Sequence, residues 1–124
     1  MLTETTSISA AAFEQIMLHE LIERFWPNTI TVQKTVDQIP TFWVDRVIVH
    51  DVLKHLRSSA TWPFQVLYDL TAVDERLRVH REGLPPSDFT VVYHLVSFER
   101  NDDVRIKVPL KEGALEVPCN RSTL

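Results

Sequence analysis

The stretch that decides the fold is TVVYHLVSFERNDDVRIKVPL, residues 90–110. Its first part, TVVYHLVSF, carries apolar side chains on both faces, which is typical of a strand that lies inside a sheet or is covered twice. Its last part, VRIKVPL, alternates apolar and basic side chains, which predicts a strand with one buried and one solvated face. Asn101 or Asp102 tolerates left-handed turn geometry, so we expect a hairpin to join the two strands.

Two helices are predicted upstream from apolar positions spaced three or four residues apart. The first helix should end at Pro27, because proline interrupts helical hydrogen bonding. Asp45 precedes the second helix and can cap it. The apolar stripes are Phe13, Met17, Leu21 and Phe25 in the first helix, and Val49, Val52, Leu53 and Leu56 in the second.

Three further strands are predicted from alternating side chains. ITVQKTV places Ile30, Val32 and Val36 on one face, and TFWVD, residues 41–45, pairs with it after a turn; FQVLYDL, residues 64–70, alternates in the same way. The order helix, strand, strand, helix, strand, strand, strand predicts a two-layer α+β fold. We expect two helices packed on one side of a mixed or mostly antiparallel sheet of about five strands.

Composition restricts the classes of function. The chain has 124 residues, of which 44% are hydrophobic and 24% charged, so we expect residues 1–124 to form a single domain. A net charge of −4 without a long basic run argues against nucleic acid as a partner. No apolar run approaches the roughly 20 residues that span a bilayer, and no signal-peptide pattern begins the sequence. We therefore expect a cytosolic chain with no direct membrane insertion.

The residue types that usually carry chemistry are sparse. Phosphate-binding loops need several glycines, and the chain has only Gly83 and Gly113. His50 and His55 are five positions apart, which differs from the i, i+4 spacing of a paired metal site. Cys119 has no second cysteine and lies in a polar tail, so we interpret it as an incidental thiol. We predict no catalytic, cofactor-binding or metal-binding residue in this chain.

The segment DERLRVHREGLPPSD, residues 74–88, is the strongest candidate for function. It carries three arginines against four acidic residues. Exposed ion pairs contribute only about 0–1 kcal/mol each, so stability is a poor reason for this arrangement. A long, arginine-rich loop suits an interface in which guanidinium groups make bidentate contacts, and a plain solvated loop is the alternative. The candidate partner-facing residues are Arg76, Arg78, Arg81, Glu82 and Asp88.

His94 is the strongest single candidate for chemistry, because it lies mid-strand between Tyr93 and Leu95. Either it is hydrogen-bonded within the sheet or against a partner, or it transfers protons. A cleft that held His94 beside the loop arginines would favour a free-standing ligand-binding module or small enzyme for an anionic substrate. A flat apolar surface rimmed by those arginines would favour docking.

The motif DERLR-x-HREGLP, residues 74–85, is followed by F-x-V-x-Y-H-L-x-S, residues 89–97. This order closely resembles the C subunit of bacterial NADH-quinone oxidoreductase, respiratory complex I, especially the form fused to the D subunit. The likeness is tight over residues 68–110 and looser over ERFWPNTITVQ, residues 23–33. It implies a non-catalytic structural subunit of a proton-translocating enzyme, which supports electron transfer from NADH to quinone. NADH, FMN, iron–sulfur clusters and quinone would all be bound by partner subunits.

The resemblance also implies partners and a location. The partners would be other subunits of the peripheral arm, especially the quinone-site D subunit and the iron–sulfur subunits. The location would be the cytoplasmic side of the bacterial inner membrane, peripheral through the complex. The family tract W-Y-E-R-E-x-x-D-x-x-G-I is absent, and the sequence ends in EVPCNRSTL. We therefore expect the chain to be the amino-terminal domain of the C subunit, truncated before that tract.

Overall fold

The last strand among the described residues lies in the middle of the sheet. The computed structural model describes residues 10–79 and 81–113. The order across the sheet is β1-β2-β5-β4-β3. β2 and β5 run parallel and the other neighbouring strands are antiparallel, so the predicted five-stranded mixed sheet is confirmed. The strands are β1 Ile30–Gln33, β2 Thr41–Val44, β3 Val66–Asp74, β4 Phe89–Ser97 and β5 Asp102–Leu110.

The second layer consists of the two predicted helices, α1 at Ala10–Arg24 and α2 at Val49–Lys54. α2 continues into a π-helical turn, His55–Ser59, which the sequence pattern did not predict. Asp45 caps the turn before α2 rather than α2 itself, because its Oδ1 accepts the N–H of Val47 at 2.8 Å. No helix in the described part of the chain is long and apolar enough to cross a membrane.

The apolar stripes of both helices pack on one face of the sheet. Burying a side chain such as leucine or valine contributes about 1.5–3 kcal/mol, so this contact holds the two layers together. Phe13 and Phe25, at the ends of the first stripe, are partly buried against it. The helical core residues are Met17, Leu21, Val49, Val52, Leu53 and Leu56, and they meet Phe42, Val44, Tyr93, Leu95, Val104, Ile106 and Val108 of the sheet.

Residues in left-handed backbone conformations make the tight turns. Asn101 adopts φ 59° between β4 and β5, as its side chain predicts, and Gln38 adopts φ 63° between β1 and β2. β1 ends at Gln33, so Val36 lies in the turn and is fully exposed. The prediction that Val36 continues the strand face was therefore wrong, because the chain leaves the sheet before reaching it.

β3 forms one edge of the sheet and departs from the predicted alternation. The strand begins at Val66 rather than at residue 64, and its register shifts between Leu67 and Asp69, as in a β-bulge. Tyr68 and Leu70 are exposed on this edge strand. β4, in contrast, pairs with β3 on one side and β5 on the other, as its doubly apolar sequence predicts.

Candidate docking loop and basic cleft

The connection between β3 and β4, residues 75–88, forms a loop whose base is fixed by backbone pairing; we call it the charged loop. The N–H of Glu75 donates to the carbonyl of Asp88 at 2.8 Å, and the N–H of Asp88 donates to the carbonyl of Leu110 at 2.9 Å. The carboxylate of Asp88 accepts the N–H of Glu112 at 2.8 Å. Asp88 therefore ties the charged loop to the end of β5, and its carboxylate is engaged within the chain.

Arg76 fastens the same base through its side chain. Its guanidinium donates to both carboxylate oxygens of Asp74, at 3.0 and 2.8 Å, and to Glu112 at 3.4 Å. It also lies over the ring of Phe89, with 4.8 Å between the guanidinium carbon and the ring centroid. The hydrogen bonds from Arg76 hold the pKa of Asp74 at about 2 and raise the pKa of Arg76 itself. This network joins the ends of β3 and β5.

The charged loop folds over the sheet face opposite the helices. Thr90, fully buried on that face, donates its hydroxyl hydrogen to the carboxylate of Glu75, and its hydroxyl lies 2.9 Å from that of Ser87. The turn at residues 81–84 closes when the N–H of Leu84 donates to the carbonyl of residue 81. Gly83 takes φ 85° there, a conformation that side chains disfavour, so glycine suits this turn.

Two aliphatic side chains stand fully in solvent on the charged loop. Leu77 is 100% exposed and Val79 is 91% exposed; we call this pair the apolar tip. They alternate with Arg76 and Arg78, and Arg81 is exposed two positions further on. Sequence reasoning did not single them out, although the L-x-V alternation among charged residues was the available signal.

A cleft of about 290 Å³ lies between the charged loop and the sheet; we call it the basic cleft. Gln33, Trp43 and Lys107 contribute from β1, β2 and β5, while Leu84 and Pro85 contribute from the charged loop. The indole N–H of Trp43 donates to Oε1 of Gln33 at 2.8 Å, and the ammonium of Lys107 donates to the same oxygen at 3.1 Å. The structure thus brings the three predicted arginines together at the basic cleft, where two lysines join them. The basic side chains that line it are Arg76, Arg78, Arg81, Lys107 and Lys111.

His94 does not line the basic cleft. Its Nε2 lies 2.7 Å from Oδ2 of Asp103, and its ring meets the edge of Tyr68 at a centroid distance of 5.5 Å. The residue is partly buried on the sheet. The basic cleft therefore does not hold His94 beside the loop arginines, which is the arrangement that would favour a ligand-binding module or small enzyme for an anionic substrate.

The remaining candidates add no further centre. Glu82 is exposed in the turn next to Gly83. Cys119 lies outside the described residues. Within residues 10–79 and 81–113, no three His, Cys, Asp or Glu side chains are grouped closely enough to hold a metal ion.

Comparison with known proteins places the chain in a family. The model of the family described as "Respiratory-chain NADH dehydrogenase, 30 Kd subunit" matches residues 42–120. The C/D subunit of NADH-quinone oxidoreductase from Acidiphilium cryptum is 66% identical over 94% of this chain and 20% of its own length. Proteins of the same name from Nitrosospira multiformis and Psychrobacter arcticus are 52% and 56% identical, each over 82% of this chain, covering 18% and 17% of their own lengths.

The fold has a solved counterpart. The structure described as "Nqo5 of the trypsin-resistant fragment (1-134) in P63 form" superposes with a TM-score of 0.59 at 17% identity, covering 77% of this chain and 72% of that one. The chain spans about a fifth of the length of the curated relatives. Because the family model covers more than half of the sequence, the resemblance seen in the motifs is confirmed, and the chain belongs to the respiratory-chain NADH dehydrogenase 30 Kd subunit family.

Proposed function

We propose that the chain is a non-catalytic structural subunit, or part of one, in the peripheral arm of a proton-translocating NADH-quinone oxidoreductase. Family membership and the C/D subunit names of the relatives support this role. In this proposal, NADH, FMN, iron–sulfur clusters and quinone are held by partner subunits. The chain supports electron transfer from NADH to quinone by bracing those subunits, on the cytoplasmic side of the bacterial inner membrane.

The observation that carries the docking role is the full exposure of the apolar tip. Leu77 and Val79 both expose their aliphatic side chains to solvent, although their loop is fixed at its base by Arg76 and Asp88. Interfaces typically combine an apolar centre with a polar rim, and a fixed loop loses less conformational entropy on binding. Arg78, which lies between Leu77 and Val79 and is exposed, is the nearest proposed rim residue.

The direct test is co-purification of the chain with the neighbouring peripheral-arm subunits of the same organism, including the quinone-site D subunit. The double variant Leu77→Ser/Val79→Ser removes the apolar tip without adding charge. We expect it to weaken assembly by about tenfold or more, as loss of a buried interface centre does. Val36→Ser is the matched control, because Val36 is equally exposed but lies in the β1–β2 turn.

Each outcome is informative about the loop. Reduced assembly of the double variant with normal assembly of Val36→Ser supports docking through the charged loop. Normal assembly of both variants would show that the partners bind elsewhere on the chain. The thermal midpoint of each variant should match that of the unaltered chain, because exposed side chains contribute little to stability.

A further inference from the structure

Three of the cations that line the basic cleft have no acidic partner among the described residues. Arg76 is paired with Asp74, and Arg78 lies 3.8 Å from Glu75. In contrast, Arg81, Lys107 and Lys111 make no ion pair in the part of the chain that the structure describes. Five cations and two carboxylates, those of Glu75 and Asp88, line the basic cleft, so it is locally positive although the net charge of the whole chain is −4.

Lys107 is the partly buried member of this group of cations. Its ammonium is partly buried, donates to Gln33, and lies 5.5 Å from the ring centroid of Trp43. Burial is the largest cause that lowers the pKa of Lys107, followed by the positive charge of Arg105. The carboxylate of Glu75 raises this pKa, and the positive charges of Arg81 and Arg78, which have smaller effects, lower it. An anion placed in the basic cleft would therefore relieve repulsion among these cations.

The walls favour a carboxylate side chain over a free phosphate. Phosphate sites usually offer several backbone N–H groups, but Pro85 and Pro86 line the basic cleft and have none. Leu84 and Trp43 supply apolar surface that suits the methylene groups of a glutamate. Guanidinium groups such as that of Arg81 bind carboxylates in a bidentate geometry. A volume of about 290 Å³ admits one or two side chains rather than a secondary-structure element.

We infer that the basic cleft receives a glutamate or aspartate side chain from an acidic segment of a protein partner, held by Arg81, Lys107 and Lys111. This inference rests on the proposed docking role and adds the chemistry of the partner. The apolar tip then contacts the partner beside the basic cleft, which Val79 also lines, and the basic cleft holds the acidic segment. Charge complementarity of this kind chiefly sets specificity and the rate of association.

The test is a titration of the 124-residue chain, followed through the NMR signal of the Trp43 indole N–H. The probe is hexaglutamate, acetylated and amidated at its ends, at near-physiological salt. The signal of Trp43 should shift, because its N–H donates to Gln33 at the floor of the basic cleft. The indole signals of Trp26 and Trp62 serve as internal controls, since neither residue lines the basic cleft.

Variants locate the binding site. Arg81→Ala/Lys111→Ala should weaken hexaglutamate binding by about tenfold, since it removes two unpaired cations. Lys54→Ala is the control for charge, because Lys54 is exposed on α2 in the other layer. It should leave the affinity within about twofold of the original, as expected of a distant exposed charge.

Three results would overturn the inference. Hexaglutamine that shifts Trp43 as strongly as hexaglutamate would show that charge is not recognised. Inorganic phosphate that acts at the same concentration as hexaglutamate would assign the basic cleft to small anions. An equal loss of affinity in Lys54→Ala would show diffuse attraction. No partner protein takes part in the titration, so its failure can be distinguished from a failure of the docking role. If hexaglutamate does not bind but the chain co-purifies with its partners, only the inference about the basic cleft is rejected. If hexaglutamate binds but the chain does not co-purify with its partners, only the docking role is rejected.

Discussion

Nε2 of His55 lies 2.7 Å from Oε2 of Glu20, and this pair joins the π-helical turn after α2 to α1. The N–H of Thr61 donates to the same oxygen at 3.2 Å. His55 is buried, and its Nδ1 has no hydrogen-bond partner among the described residues. The imidazole therefore depends on Glu20, so the contact between the helices is sensitive to one carboxylate.

Replacing that carboxylate should destabilise the fold. Glu20→Ala leaves a buried imidazole unsatisfied, and we expect the free energy of unfolding to fall by about 1–3 kcal/mol in urea denaturation. Glu23→Ala is the control, because Glu23 is exposed and its partner among the described residues is the exposed His19, one turn away. Its effect should stay below about 0.5 kcal/mol. Equal effects of the two substitutions would contradict a structural role for the Glu20 pair.

Leu53 tests the packing of α2 on the sheet. It is 5% exposed and belongs to the core shared by both layers. Leu53→Ala should lower the free energy of unfolding by about 2–5 kcal/mol, through lost burial and the cavity it leaves. Val47→Ala, in the exposed turn before α2, should change it by less than about 0.5 kcal/mol. A loss below about 1 kcal/mol for Leu53→Ala in chemical denaturation would contradict the assigned helix face.

Asp37 should make stability depend on acidity. Hydrogen bonds from Arg105 first, and from Thr35 second, hold the pKa of Asp37 well below its ordinary 3.8. A carboxyl with a lowered folded pKa stabilises the fold above its unfolded pKa, and this contribution disappears as the pH falls through the folded pKa. Asp37→Asn should therefore lower the urea midpoint near pH 7, by a modest amount because the side chain is half exposed.

The difference in urea midpoint between Asp37→Asn and the original chain should become smaller as the pH falls below about 4. Asp51→Asn, on the exposed face of α2, should show almost no difference at any pH. Urea midpoints measured at several pH values distinguish the two cases. If the difference in urea midpoint for Asp37→Asn stayed constant into strong acid, the charge of the carboxylate would not be the cause of that difference.

Arg76 should control the order of the charged loop more than global stability. Removing its bonds to Asp74 and Glu112 takes away the side-chain link between the ends of β3 and β5 and leaves the backbone bonds of Asp88 in place. In Arg76→Ala, amide hydrogen exchange should become faster within residues 75–88, while β4 exchanges as before. Arg78→Ala is the matched control, because its described ion pair with Glu75 spans 3.8 Å. Identical amide exchange in the two variants would show that Arg76 does not fix the base of the charged loop.

Local patterns explain how much of the fold could be predicted. The stripe that includes Met17 and Leu21 has one interpretation, because a helix returns to the same face about every 3.6 residues. Val104 and Ile106 have one interpretation as well, since strand side chains alternate. Val36 was misplaced because alternation cannot show where a strand stops: it continues the pattern of β1, but the chain has already turned.

The basic cleft was beyond sequence reasoning for a different reason. Trp43 meets Lys107 through the parallel pairing of β2 with β5, and no local pattern specifies that register. The arginines of the charged loop were recognised from composition alone. Lys107 is predicted from its alternation to lie on the solvated face of a hairpin. The pattern of β5 does not show that the loop between β3 and β4 covers this face.

The position of β5 also affects how the chain folds while it is being made. β2 is complete at Val44, but its parallel neighbour is not available until Leu110 has been synthesised. At roughly 5–20 residues per second, translation of the intervening segment takes roughly 3–13 s. During that interval the β1–β2 hairpin and both helices lack the central strand on which their apolar faces pack. A ribosome-bound nascent chain is therefore the form of this protein in which chaperone binding and aggregation matter most.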